Sequence, residues 1–136
     1  MKDREELRRV AREWLELWNA PVDWEAFDRL HADDFVDEAS AGRPATRQGF
    51  AEGLARFVRA FPDARATVED LVADEMTGRV AVRWRITGTN RERYLDVGPT
   101  HRATVITGIE IVEIRAGRVV RRWGEWDVTA HRDDAP

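Results

Sequence analysis

The stretch FVRAFPDARATVEDLVADEMTGRVAVRWRIT, residues 57–87, decides the fold, because its hydrophobic periodicity changes partway through. Before Pro62 the apolar residues recur at helical spacing, with Phe50, Leu54, Phe57, Val58 and Phe61 on one stripe. Proline stops such a helix, since it lacks an amide hydrogen and restricts the residue before it. After Pro62 the period falls to two. Ala64 to Ala73 reads as a strand, and Met76-Thr77-Gly78 as a turn. Val80, Val82, Trp84 and Ile86 then alternate with Ala81, Arg83, Arg85 and Thr87, the pattern of a half-buried strand.

Toward the C-terminus, Asn90 to His101 reads as a polar connection and Ala103 to Ile114 as a strand rich in Thr, Val and Ile. Ala116-Gly117 suits a tight hairpin, Val119 to Val128 forms the last strand, and residues 129–136 are a polar tail. Toward the N-terminus, Leu7, Val10, Ala11, Trp14, Leu15 and Trp18 predict an amphipathic helix over Asp3 to Asn19, ended by Pro21. Asp23 caps a short helix carrying Trp24, Phe27 and Leu30. His31 to Ala39 enters a short strand, Ser40 to Ala45 is a loop, and Thr46 caps the third helix. Helices followed by a meander predict an α+β domain, with helices on one face of a curved antiparallel sheet. One domain spans 1–136, with its core at about 5–128.

Composition narrows the function. The absence of cysteine removes disulfides, thiolate catalysis and cysteine zinc sites. Lys and Arg number 22 against 26 Asp and Glu, so no basic excess points to a nucleic-acid partner. The charged start MKDREELRRV is not a signal peptide, and no apolar run approaches the ~20 residues of a membrane span. The expectation is a cytoplasmic protein. His31, His101 and His131 share no metal-ligand spacing, and no Gly-rich phosphate loop or GxSxG motif occurs.

Particular residues carry a family resemblance. Phe61-Pro62-Asp63, the strand Val80 to Trp84, Gly88-Thr89, Thr107-Gly108-Ile109 before Glu110, and Gly117-Arg118-Val119-Val120 followed by Trp123 and Asp127 resemble the SnoaL-like polyketide cyclases of the nuclear-transport-factor-2-like superfamily. The resemblance implies a cone-shaped barrel, a curved antiparallel sheet wrapped around three N-terminal helices with an internal pocket. It implies an intramolecular aldol reaction on a hydrophobic ketone without metal or organic cofactor, and a homodimer. Its general acid/base near the end of the last strand matches Asp127. The chain departs from the family pattern at Thr100-His101-Arg102, at Glu38 and at Arg121-Arg122-Trp123, all near the expected pocket.

Such chemistry needs a base beside a carbonyl's α-carbon and a donor at its oxygen. A carboxyl group becomes a useful base near neutral pH when burial raises its pKa. Three acids qualify as catalytic candidates. Asp127 shares parity with Trp123 and Glu125 on a regular strand, though one bulge would exchange Trp123 for Arg122 in the cavity. Glu110, among Ile109, Ile111 and Gly108, faces the cavity or solvent according to strand parity, and its position resembles an isomerase cavity aspartate. Glu38, after Phe35-Val36, resembles the isomerase base or is one more acid in the run Asp33, Asp34, Asp37. Trp14, Trp84, His101 and Trp123 are the candidate substrate contacts, and Tyr94 could cover the mouth. Arg83 and Arg85 read as an anion site, or as a polar sheet face or dimer contact paired with Glu113.

The leading expectation is an enzyme, a SnoaL-like cyclase or related isomerase. A non-catalytic small-ligand-binding protein and an epoxide-hydrolase-like enzyme are the alternatives. The last requires an inward arginine, Arg83 or Arg122, flanked by two acids.

Overall fold

Each helix begins where a side chain satisfies a free amide. In the computed structural model, which describes residues 3–127, the Asp3 carboxylate accepts from Glu5 N at 3.2 Å and opens α1 (Arg4–Glu16). Asp23 accepts from Ala26 N at 3.1 Å and opens α2 (Trp24–Leu30). Thr46 Oγ1 accepts from Gly49 N at 3.0 Å and opens α3 (Arg47–Ala60). Caps of this kind contribute about 1 kcal/mol each. The apolar stripes face inward as their spacing predicts: Leu7, Val10, Ala11, Trp14 and Leu15 on α1, and Phe50, Leu54 and Phe57 on α3, are buried.

Five strands follow the expected order: β1 (His31–Asp37), β2 (Arg65–Asp74), β3 (Arg79–Thr89), β4 (Ala103–Arg115) and β5 (Arg118–Trp126). They form one sheet in the order β1-β5-β4-β3-β2. Strands β2 to β5 make an antiparallel meander, but β1 pairs parallel with β5. The sheet is therefore mixed, a correction to the wholly antiparallel expectation. The cause is topological: β1 leads through α3 and three strands before β5 returns beside it in the same direction. The sheet is curled and open, with β1 and β2 at its edges, not closed into a barrel.

On the inner face, Val80, Val82, Trp84 and Ile86 of β3 are buried as the alternation predicts. Their register partners on β4 are Val112, Glu110, Gly108 and Ile106. Helix α1 packs on β2 and β3, and α3 on β1. The outer face exposes Val105, Ile109 and Ile111, with Arg83 and Arg85 beside them. Glu113 is engaged within the chain, by Arg79 at 3.2 Å and Arg115 at 2.8 Å, and not by those two arginines. No helix among the described residues is long and apolar enough to cross a membrane.

Candidate active site

Strand β5 decides what enters the hollow between sheet and helices. Its pairing with β4 shifts at one point: Ile114 lies opposite Val119, yet Glu113 lies opposite Arg121, so Val120 is an extra residue. This bulge reverses parity along the strand. Val119 faces the core before it, and Arg122, Gly124 and Trp126 line the cavity after it.

Opposite them stands Glu110, whose direct partner on β5 is Gly124. With the carboxyl group where it stands there is room only for glycine, because a Cβ at 124 would overlap it and force it to move. Gly108 does the same for Trp84: a Cβ at 108 would come within 2.5 Å of the indole Cζ2. Two glycines on neighbouring strands thus leave room for one carboxyl group and one indole on the cavity floor.

The carboxyl group is held by charge. Arg122 Nη2 donates to Glu110 Oε1 at 2.8 Å. The same guanidinium reaches Asp37 at 3.3 Å, and Arg43 donates to Asp37 at 3.2 Å. Asp37, fully buried at the end of β1, also accepts from Ala39 N at 2.9 Å. Arg122 rests over the ring of Phe50, 5.0 Å from its centroid, with the rings of Trp14 and Trp18 at 5.8 and 5.9 Å. Burial pushes the Glu110 pKa up from 4.5 to about 7, even though Arg122 pulls it down. Ionised Glu110 balances the two arginines together with Asp37; protonated Glu110 leaves one positive charge in excess.

The cavity encloses about 380 Å³, within the usual range of about 300–1,000 Å³ for small-molecule sites. Trp18, Phe57, Ile86, Ile106 and Trp126 form apolar walls. Tyr94 closes one side, edge-on to Phe57 at 5.5 Å and to Trp126 at 5.9 Å. Among the described residues, three buried side-chain polar atoms have no hydrogen-bond partner: Glu110 Oε2, Trp84 Nε1 and Arg122 Nε. Buried polar groups are rarely left so, and the three belong to side chains that line one hollow. Among the described residues no group of His, Asp and Glu is arranged to hold a metal.

Of the residues singled out from sequence, the structure brings Glu110, Trp84 and Tyr94 together at this cavity. Asp127 is not among them. It is exposed at the end of β5, its backbone N–H donating to Thr107 O at 2.8 Å, because the bulge turns its parity outward. Trp123 is displaced for the same reason and lies on the outer face, between the guanidinium groups of Arg79 and Arg121. Glu38 is exposed and pairs with Arg121 at 2.9 Å; the buried acid of that segment is its neighbour Asp37. Trp14 is buried among the helices behind the cavity, and its indole N–H is used by His31 Nε2 at 2.9 Å. His31 Nδ1–H in turn donates to Phe27 O at 2.8 Å, and burial lowers the His31 pKa to about 4. His101 is exposed on a turn with a φ of 58° and lies outside the cavity lining. Sequence reasoning did not select Asp37, Arg43, Gly124 or Trp126 as site residues. The usable signal was Gly124, a strand glycine placed opposite an acid.

A curled five-stranded sheet over three helices, with an ionisable floor, defines a pocket protein of the nuclear-transport-factor-2-like fold. The chain belongs to the SnoaL-like polyketide cyclase family, whose model matches residues 8–134. Among solved structures, TsrD from Streptomyces laurentii superposes with a TM-score of 0.86 at 18% identity, covering 98% of this chain and 97% of its own. IdmH from Streptomyces antibioticus, a candidate polyketide cyclase, gives a TM-score of 0.80 at 28% identity over 94% and 96%. AclR from Streptomyces galilaeus, a candidate hydroxylase, gives 0.79 at 21% over 95% and 80%. A comparison with curated proteins found no significant match.

Proposed function

We propose that the protein is an enzyme of cofactor-free acid/base chemistry, cyclising a hydrophobic ketone by an intramolecular aldol reaction with Glu110 as the base. The observation that carries this reading is Glu110 itself: a carboxyl group 3% exposed, with a pKa near 7 and one oxygen unpartnered on the floor of an apolar cavity. At neutral pH a large share is ionised and able to accept a proton. Oε2 removes the proton from the carbon next to a carbonyl, and that C–H electron pair becomes the enolate. The N–H of Trp84, a diagonal neighbour across β3 and β4, stabilises the enolate oxygen. The enolate carbon bonds to a second carbonyl of the same molecule. Glu110 then returns its proton to the new alkoxide, so no atom is gained or lost.

The test is α-proton exchange. A hydrophobic aryl ketone is incubated in D2O and followed by NMR. Exchange should rise with pH through a limb near 7 in the wild type and fall to background in Glu110→Gln. Equal exchange in both would end the assignment.

One observation favours a second reading, an epoxide-hydrolase-like reaction: Arg122 is inward and flanked by Glu110 and Asp37. That reaction uses two acids at the substrate. Asp37 lies outside the cavity lining, with its oxygens engaged by Ala39, Arg43 and Arg122, so proton transfer by one carboxyl group ranks first. Incorporation of 18O from labelled water into an epoxide probe would reverse that ranking. We further propose a homodimer through the outer sheet face, where Val105, Ile109 and Ile111 are exposed. Light scattering reading a monomer at micromolar concentration would refute it.

A further inference from the structure

Past Tyr94 and Arg43 the cavity continues into an outer chamber of about 350 Å³. Its chemistry differs from that of the inner one. Arg43, Arg56 and Arg93 line it against a single acid, Asp96. The whole chain carries a formal charge of −4, so this positive wall is local and does not follow from composition.

Arg43 is built into the wall. Its Nε donates to Gly49 O at 3.1 Å and its Nη2 to Asp37 at 3.2 Å, which leaves Nη1 without a partner among the described residues. The guanidinium lies flat on α3 because residue 53 is glycine; a Cβ there would stand 2.5 Å from Cζ. Arg56 projects from the same helix and has no ion pair among the described residues. Arg93 meets Asp96 only at 3.8 Å, with both side chains mostly exposed, a contact that solvent screens almost fully. Guanidinium groups with spare N–H donors around one hollow suit an oxyanion.

We propose that the outer chamber binds an anionic group, a carboxylate or a phosphate, carried by the same substrate whose ketone body fills the inner chamber. The inference rests on the reading of the inner chamber given above. It also fixes an orientation. With Glu110 ionised, the acids Asp37, Glu110 and Glu125 outnumber Arg43 and Arg122 at the inner chamber, so the substrate's anion is held outside while its apolar end reaches the carboxyl group.

The experiment compares three probes by calorimetry at pH 8: 2-acetonaphthone, 6-acetyl-2-naphthoic acid and 6-acetyl-2-naphthyl phosphate. In low salt at least one anionic probe should bind about fivefold or more tightly than the neutral ketone, and the advantage should shrink as salt is added. In the double variant R56A/R93A the ratio of anionic to neutral affinity should fall close to one, and R56K/R93K should restore part of it. The tighter of the two anions identifies the group the chamber takes. A wild-type ratio near one, a ratio unchanged in R56A/R93A, or no binding by any probe would overturn the proposal. Glu110→Gln separates the two readings. Anion preference without ketone exchange in the wild type defeats only the chemistry assigned to Glu110, and exchange without anion preference defeats only the outer chamber.

Discussion

Gly124 lies directly across the β4–β5 pairing from Glu110, and the space a Cβ would take at 124 is occupied by the Glu110 carboxyl group. The base is therefore positioned by the absence of a side chain on the neighbouring strand. Gly124→Ala should turn the carboxyl group away from the cavity. Misplacement of about 1 Å can cost about 100-fold in rate, and ketone exchange in this variant should fall by about 10- to 100-fold while far-UV circular dichroism is retained. Unchanged exchange would show that the glycine has no positioning role.

Glu110 also links stability to pH. Its unfolded pKa is 4.5 and its folded pKa about 7. The folded state thus holds the proton more tightly, and the stability this contributes is complete below 4.5 and lost as pH rises through 7. Glu110→Gln removes that dependence. Its melting temperature relative to wild type should be higher at pH 8 than at pH 4.5, as read by differential scanning fluorimetry across the range. A constant difference would contradict the burial assigned to the carboxyl group.

His31 runs in the opposite sense. Its folded pKa is about 4 against 6.5 unfolded, so its contribution is present above 6.5 and lost as pH falls through 4. Neutral His31 bridges Trp14 and Phe27. His31→Phe leaves the buried Trp14 N–H without an acceptor, a loss of about 1–3 kcal/mol. Urea unfolding should show that loss at pH 7.5 and a smaller one at pH 4.

Arg122 is the cation between two buried acids. Arg122→Met would leave Glu110 without its cation in an apolar surrounding, while Asp37 keeps Arg43, at a cost of about 3–5 kcal/mol. Chemical denaturation at pH 7 should show a destabilisation of that order, with a smaller loss at pH 5, where Glu110 is protonated. A neutral effect would mean that the ion pairs do not hold the site.

Most of the fold was legible because periodicity and capping act locally. The change of period at Pro62, the caps Asp23 and Thr46, and the alternation of Val80 to Ile86 all recur in the structure. The parallel pairing of β1 with β5 was not legible, since it joins segments about 90 residues apart. The site was half legible. Glu110 and Trp84 follow regular alternation from well-marked strands. Asp127 and Trp123 were misplaced by a single extra residue, Val120, whose bulge has no local signature in the run Arg118 to Arg122. Asp37 was passed over for Glu38 because parity cannot be read within an acidic run at the irregular start of a strand, where the β1 register shifts between His31 and Val36.

Carbon-13 NMR of the protein labelled at glutamate side-chain carboxyls, titrated from pH 4 to 9, puts the central claim to its most direct test. One resonance should titrate near pH 7 and vanish in Glu110→Gln. If that resonance instead titrates near the ordinary carboxyl value of 4.5, Glu110 meets bulk water and the proton transfer assigned to it is wrong.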